Sequence, residues 1–151
     1  MSDNATIARV IREVLLSLGV PREGTAYADP ELDAMYESYL EPGSCYWVVE
    51  GPGGVLGGCG IARLRDADRS ICELQKMYLD SRARGSGLGT GLLRVNLDWA
   101  RRQGYGSVYL ETMPYMDRAQ ELYKRNGFHY LDGPMGNTGH YSCPVHMLKE
   151  F

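Results

Sequence analysis

Residues 71–93 read ICELQKMYLDSRARGSGLGTGLL. The segment reads as a strand, Ile71–Leu79, running into a glycine-rich turn with an amphipathic helix behind it. Gly85, Gly87 and Gly89 let the backbone turn sharply with no Cβ in the way. The N–H groups of the turn and of the first helical residues lack intrahelical partners. Together with the positive end of the helix they form a site for phosphate, and Arg82 and Arg84 can add charge there. A phosphorylated ligand is therefore expected at this turn.

Three families place glycines between a strand and a helix. A P-loop needs a lysine followed by Ser or Thr after its second glycine, and this turn contains no lysine. A dinucleotide fingerprint, Gly-x-Gly-x-x-Gly, would put its last glycine on Thr90 when started from Gly85, or on Leu92 when started from Gly87. The spacing present is Arg84-x-x-Gly87-x-Gly89. A second segment, Ala119-x-x-Leu122-Tyr123-x-x-x-Gly127-Phe128, starts 35 residues beyond Arg84. In that order, and with a strand between them, the two resemble the acetyl-CoA-binding motifs of the GNAT superfamily of N-acetyltransferases. The resemblance runs from the first helix to the carboxy terminus.

Working outward, residues 3–18 read as a helix, since Ile7, Val10, Ile11, Val14, Leu15 and Leu18 keep the period of one buried stripe. Asp3 or Asn4 can cap its start and Gly19 can end it. Asp29-Pro30, a capping residue before a proline, signals a second helix with Leu32, Met35, Tyr36 and Tyr39 on its apolar face. Residues 46–50 and 55–64 read as a hairpin turned at 51–54. Gly57, Gly58 and Gly60 in its second strand predict a close approach or a bulge. After the glycine turn come a helix over 88–102, with Leu88, Leu92, Val95 and Trp99 as one stripe, and a strand over 107–112. A helix over 116–126 and strands over 128–131 and 141–148 complete the chain.

Helices and strands in this order predict an α+β fold. The expectation is one domain over 1–151, with a central mixed, mostly antiparallel sheet flanked by about four helices. GNAT members usually begin with a strand before the first helix, and here only two residues precede the cap. That edge strand is missing, or another element or subunit covers the sheet edge; a homodimer is one way to cover it.

At 151 residues, with 44% hydrophobic and 23% charged residues, the composition is that of an ordinary globular protein able to bury one core. A formal net charge of −3 gives no overall attraction to nucleic acid or to an anionic membrane. The apolar runs are too short to span a bilayer, and Arg9, Arg12 and Glu13 within the first helix argue against a secretory signal. A cytoplasmic protein is expected. Cys45, Cys59, Cys72 and Cys143 form no Cys-x-x-Cys pair, so free thiols are the default. His140, Cys143 and His146 sit three apart. On a strand, however, Cys143 points away from the two histidines, so no metal is expected.

The resemblance implies the rest. Acetyl-CoA would be the cosubstrate and a small-molecule primary amine the acceptor, with a protein lysine or amino terminus, or a non-catalytic acetyl-CoA sensor, as alternatives. The backbone of Met77, Tyr78 and Leu79 would pair with the pantetheine arm. The amides of Gly85, Ser86, Gly87, Leu88, Gly89 and Thr90, beside Arg84, would take the pyrophosphate. Glu73 would serve as general base, directly or through water, unless it makes a structural contact at the sheet edge. Tyr123 would donate to the leaving sulfur, unless it is core packing. Glu111, Thr112 and His140 would meet the acceptor, with His140 an alternative base or a loop cap.

Overall fold

The computed structural model describes residues 3–151. Ile7, Val10, Ile11, Val14 and Leu15 form the buried face of α1 (Asn4–Ser17), and Gly19, at φ 68°, follows its end. Asn4 does other work than capping. Its carboxamide accepts from the Tyr36 N–H at 2.8 Å and donates to Glu37 at 2.8 Å, tying α1 to α2 (Met35–Ser38).

The continuous second helix expected after Asp29-Pro30 is instead two 3₁₀ turns, Ala26–Ala28 and Pro30–Ala34, followed by the single turn of α2. Asp29 stands at the start of the Pro30–Ala34 turn, but its carboxylate makes no cap hydrogen bond. It reaches across the fold to Lys76 and His140. Leu32 and Met35 are buried as expected, whereas Tyr36 is exposed.

Six strands make one sheet in the order β1-β2-β3-β4-β6-β5. They are β1 (Cys45–Gly51), β2 (Gly54–Arg63), β3 (Ile71–Leu79), β4 (Ser107–Thr112), β5 (His129–Leu131) and β6 (Val145–Glu150). Only β3 and β4 are parallel neighbours; the other pairs are antiparallel. With α1, α2, α3 (Leu88–Arg102) and α4 (Asp117–Arg125), this is the α+β arrangement the sequence predicts. Among the described residues no strand precedes α1, and β1 forms one edge of the sheet.

The last strand is shorter than expected. The Ser142 N–H donates to the Gly24 carbonyl and the Cys143 N–H to the His140 carbonyl, both at 3.0 Å, and Pro144 has no N–H to give a ladder. Pairing therefore starts at Val145. On α3 the buried side is Leu92, Leu93, Leu97 and Ala100, but Leu88 and Val95 are exposed. Asn96 is buried among the apolar positions. Its amide donates to the Leu92 carbonyl at 2.9 Å, and its Oδ1 has no partner among the described residues.

Apolar clusters cover both faces of the sheet. One includes Leu93 and Leu97 of α3, Tyr123 of α4 and Leu74 of β3; the other includes Ile7, Ile11 and Leu15 of α1, Leu32 and Met35. No helix among the described residues is long and apolar enough to cross a membrane.

Two irregularities of β3 place the site. Its pairing with β4 covers Ile71 to Glu73 opposite Ser107 to Tyr109 and then stops, so the strands part beyond Glu73. On its other side Gly58 faces Tyr78 and Gly60 faces Gln75, so Lys76 and Met77 together stand opposite Cys59. This is a β-bulge, with the extra residue on β3 rather than on the glycine-rich strand. The glycines of β2 are needed for close approach, since the rings of Tyr46 and Tyr39 lie where a Cβ at Gly60 would be.

Candidate active site

At the turn after β3, Gly85 has φ 75° and Gly87, the residue before α3, has φ 79°. A Cβ at either would meet open space, so conformation and not crowding calls for glycine there. Gly89 differs from the expectation. It lies inside the first turn of α3 without a positive φ, and a Cβ there would touch Leu79 at an ordinary 3.6 Å. The first intrahelical bond at this end runs from the Gly91 N–H to the Gly87 carbonyl at 3.0 Å. The amides of Leu88, Gly89 and Thr90 thus precede the helical ladder and lack an intrahelical acceptor. The Ser86 hydroxyl donates to the Ala83 carbonyl. Arg82 is paired with Asp80 at 2.9 Å, and its hydrogen bonds hold the Asp80 carboxyl down at about 2. Arg84 is the arginine of the two that faces the cavity.

A cavity of about 580 Å³ runs from Arg84, Gly85 and Gly89 along Met77, Tyr78 and Leu79, between the parted strands. It reaches Tyr123 and, on β4, Glu111 and Thr112, and continues to Val14, Thr25 and Cys143. The Tyr123 ring packs on Phe128 with centroids 5.7 Å apart. Burial pushes its hydroxyl well above the ordinary tyrosine range, so it stays protonated. The hydroxyls of Tyr39, Tyr46, Tyr105, Tyr109 and Tyr130 each donate to a protein group. Tyr123 makes no such bond among the described residues and lines the cavity.

Glu73 and His140 border a second, smaller cavity of about 100 Å³ with Asp29, Gln75 and Thr138. Lys76 forms part of the wall of both. Glu73 is 5% exposed, and burial raises its pKa to about 6 against the opposing hydrogen bond from Gln75 at 2.7 Å. Gln75 in turn accepts from the Tyr39 hydroxyl at 2.8 Å. For His140, burial opposes the charged form, but the hydrogen bond and charge of Asp29, 2.9 Å away, prevail and raise its pKa. Asp29 is held below its ordinary value: burial works against this, and His140 with Lys76 outweighs it. The His140 backbone N–H donates to Thr138 Oγ1 at 3.0 Å, and the Thr138 hydroxyl donates to Glu111 at 2.8 Å. Tyr109 donates to the other Glu111 oxygen at 2.7 Å. Thr112 donates to the Met116 sulfur at 3.4 Å.

The structure thus brings Tyr123, Met77, Tyr78, Leu79, Arg84, Gly85, Gly89, Glu111 and Thr112 to one cavity, and Glu73 with His140 to another. The strand expected from Tyr141 does not reach back to Cys143; His140 pairs with Asp29, and His146 of β6 stacks on Tyr109. All four cysteines are free thiols. Sequence reasoning missed Asp29 and Lys76. The visible signal for the second was a lone cation inside the strand Ile71–Leu79; nothing local marks the first, which reads as a helix cap.

Residues 12–128 match the model of the acetyltransferase (GNAT) family. The chain is 45% identical over 151 residues to the N-acetyltransferase YjgM of Escherichia coli (strain K12), covering 99% of this chain and 90% of that one. It is 38% identical over 103 residues to the N-acetylaspartate synthetase of Rattus norvegicus, covering 68% of this chain and 32% of that protein. The crystal structure of a phosphinothricin acetyltransferase from Sinorhizobium meliloti, in complex with AcCoA, matches with a TM-score of 0.76 and 22% identity over 99% of this chain and 84% of the other. At that identity the likeness is one of fold.

Proposed function

Because this chain belongs to the acetyltransferase (GNAT) family, whose acetyl donor is acetyl-CoA, we propose that it transfers acetyl from acetyl-CoA to a primary amine of a small metabolite. The observation that carries this reading is the cavity of about 580 Å³, which joins the glycine turn to the far face of the sheet through the parted strands. Its lining, from Arg84, Gly85 and Gly89 at the turn to Val14 of α1, suits a donor entering from the turn and an acceptor entering from the side of α1. Support for a small acceptor comes from the relative named N-acetylaspartate synthetase.

In this reading the amides of Gly85 to Thr90, with the charge of Arg84, take the pyrophosphate. The edge of β3 that β4 leaves free past Glu73 pairs with the amides of the pantetheine arm at Met77, Tyr78 and Leu79. The amine nitrogen attacks the thioester carbonyl, an N–H near Met77 steadies the oxyanion, and the carbon–sulfur bond breaks. Tyr123 gives its proton to the departing sulfur. Glu73 lies in the smaller cavity, so it accepts the amine's proton through water rather than by contact; a polar space of about 100 Å³ has room for that water. His140, bound to Asp29, orders the acceptor side through Thr138 and Glu111. The free thiols suit a reducing setting, the cytoplasm.

The test is acetyl-CoA-dependent thiol release across polyamines, amino acids, aminoglycosides and lysine peptides, with a blank lacking amine to account for the protein's own thiols. Tyr123→Phe keeps the ring on Phe128 and removes the proton donor. It should lower kcat by about 10²-fold while acetyl-CoA still binds. Unchanged turnover would remove Tyr123 from the mechanism, and absence of acetyl-CoA binding by the wild type would overturn the reading itself.

A further inference from the structure

Lys76 is the only residue of β3 with a positive φ, 50°, a conformation that residues with a Cβ seldom adopt and that persists only where the surroundings enforce it. The bulge is what enforces it. With Lys76 and Met77 both opposite Cys59, the usual alternation is broken, and Gln75 and Lys76, consecutive residues, both border the smaller cavity. Lys76 is therefore aimed by the backbone, and its side chain is 5% exposed with Asp29 at 2.8 Å.

Two hydroxyls on the acceptor side of the larger cavity, those of Thr25 and Thr112, are committed elsewhere. The Thr25 hydroxyl donates to the Pro21 carbonyl at 2.6 Å and that of Thr112 to Met116. Each Glu111 oxygen accepts one hydrogen bond and can offer only further acceptance. An ammonium has three protons to give, and Asp29 is the carboxylate that Lys76 pairs with. Asp29 also holds His140, so it keeps a hydrogen-bonded partner when Lys76 turns a donor toward something else. A cation whose side chain is 5% exposed, with donors to spare in the wall of the cavity, recognises an anion.

We propose that Lys76, steered by Asp29 as its positioning residue, receives a carboxylate of the acceptor, so that the acceptor is an amino acid rather than a simple amine. The inference rests on the acetyltransferase reading. One buried ammonium suits a monoanionic carboxylate, with Glu111 left for the amine end.

The experiment compares matched pairs, phenylalanine with phenylalaninamide and methionine with methioninamide, in thiol release from acetyl-CoA. The wild type should favour the acid of each pair in kcat/KM by about tenfold or more, the scale of one hydrogen bond to a charged group. It should do so even though the amide's amine is the weaker base and is more often neutral. Lys76→Met should raise KM for the acids by about tenfold and leave the amides within about twofold, with acetyl-CoA affinity unchanged as the sign of an intact fold. Lys76→Gln repeats the test should the methionine variant fail to fold. Equal use of acid and amide by the wild type, or a preference for the acid that survives the loss of Lys76, overturns the proposal. Should no pair release thiol, the acetyltransferase reading is what fails for these amines. Calorimetric binding of the same pairs to the CoA-loaded protein then decides the matter separately: acids bound more tightly by the wild type alone support the carboxylate site, and equal binding overturns it.

Discussion

Glu73 sits where a carboxylate is costly to charge, and that cost is measurable apart from any role in chemistry. Burial raises its pKa from the ordinary 4.5 to about 6, so the fold prefers the protonated form. Its contribution to stability is complete below about pH 4.5 and is lost as pH rises through 6, by about 2 kcal/mol in all. Glu73→Gln abolishes the ionisation and can still accept the hydrogen bond from Gln75. The variant should be more stable than the wild type by about 2 kcal/mol at pH 8 and no different at pH 4.5, as urea unfolding at the two values would read. Thiol release at pH 8 should fall by about 10²-fold if Glu73 takes the amine's proton. Greater stability with full activity would make Glu73 a buried spectator. Lower stability at pH 8 would mean that its contacts outweigh its burial.

At the scale of elements, Gly87 and Gly89 look alike in the sequence and differ in the structure. Gly87 needs its φ of 79°, whereas Gly89 sits inside α3, where a Cβ would make only ordinary contacts with Leu79 and Leu122. Gly87→Ala should destabilise the free protein by about 1 kcal/mol and weaken acetyl-CoA binding with it. Gly89→Ala should stabilise the free protein by up to about 1 kcal/mol, as alanine does within a helix, and any loss of acetyl-CoA binding would then report the approach of the ligand to the backbone. Unfolding midpoints and acetyl-CoA titrations of both variants separate the two roles; equal destabilisation would show that Gly89 is also conformational. The same contrast explains how much of the fold was legible. Ile71–Leu79, the turn and α3 carry their signals within a few residues, through period and glycine, and they are where the sequence predicts. The segment after Asp29 was misread because a Pro-preceding aspartate signals a helix start locally, while the carboxylate is claimed by groups far along the chain. The last strand was overextended because Tyr141 is a strand-favouring type, and the bond from Ser142 to Gly24 is invisible to any local reading.

For the whole molecule the acceptor-side network sets the balance between stability and activity. His140 and Asp29 are 111 residues apart in sequence, and Lys76 joins them from a third segment, so no spacing rule could have brought the three together. The donor side was legible because Arg84-x-x-Gly87-x-Gly89 and Leu122-Tyr123 are contiguous motifs. The network's titrations all point the same way above pH 5. His140 has its pKa raised above 6.5, so its pairing with Asp29 stabilises the fold below 6.5 and is lost as pH climbs through the raised value. Glu73 loses its contribution through 6 in the same direction. Asp29, held below its ordinary 3.8, contributes above that value and loses its contribution only as pH falls through its lowered pKa. Stability should therefore peak between about pH 4 and 5, and the Glu73 share alone, about 1 kcal/mol between pH 5 and 8, should lower the unfolding midpoint by about 2–5 °C over that range. Proton acceptance by Glu73 requires the opposite trend, with kcat/KM rising through about pH 6. Thermal unfolding and thiol release across pH 4–9 should run in opposite directions, and Glu73→Gln should leave only the His140 share of the first trend while lowering the second by about 10²-fold. A wild type whose stability is level or rising from pH 5 to 8 would show that the network is solvated in the free protein, and that the buried charge on which both trends depend is not what holds these residues together.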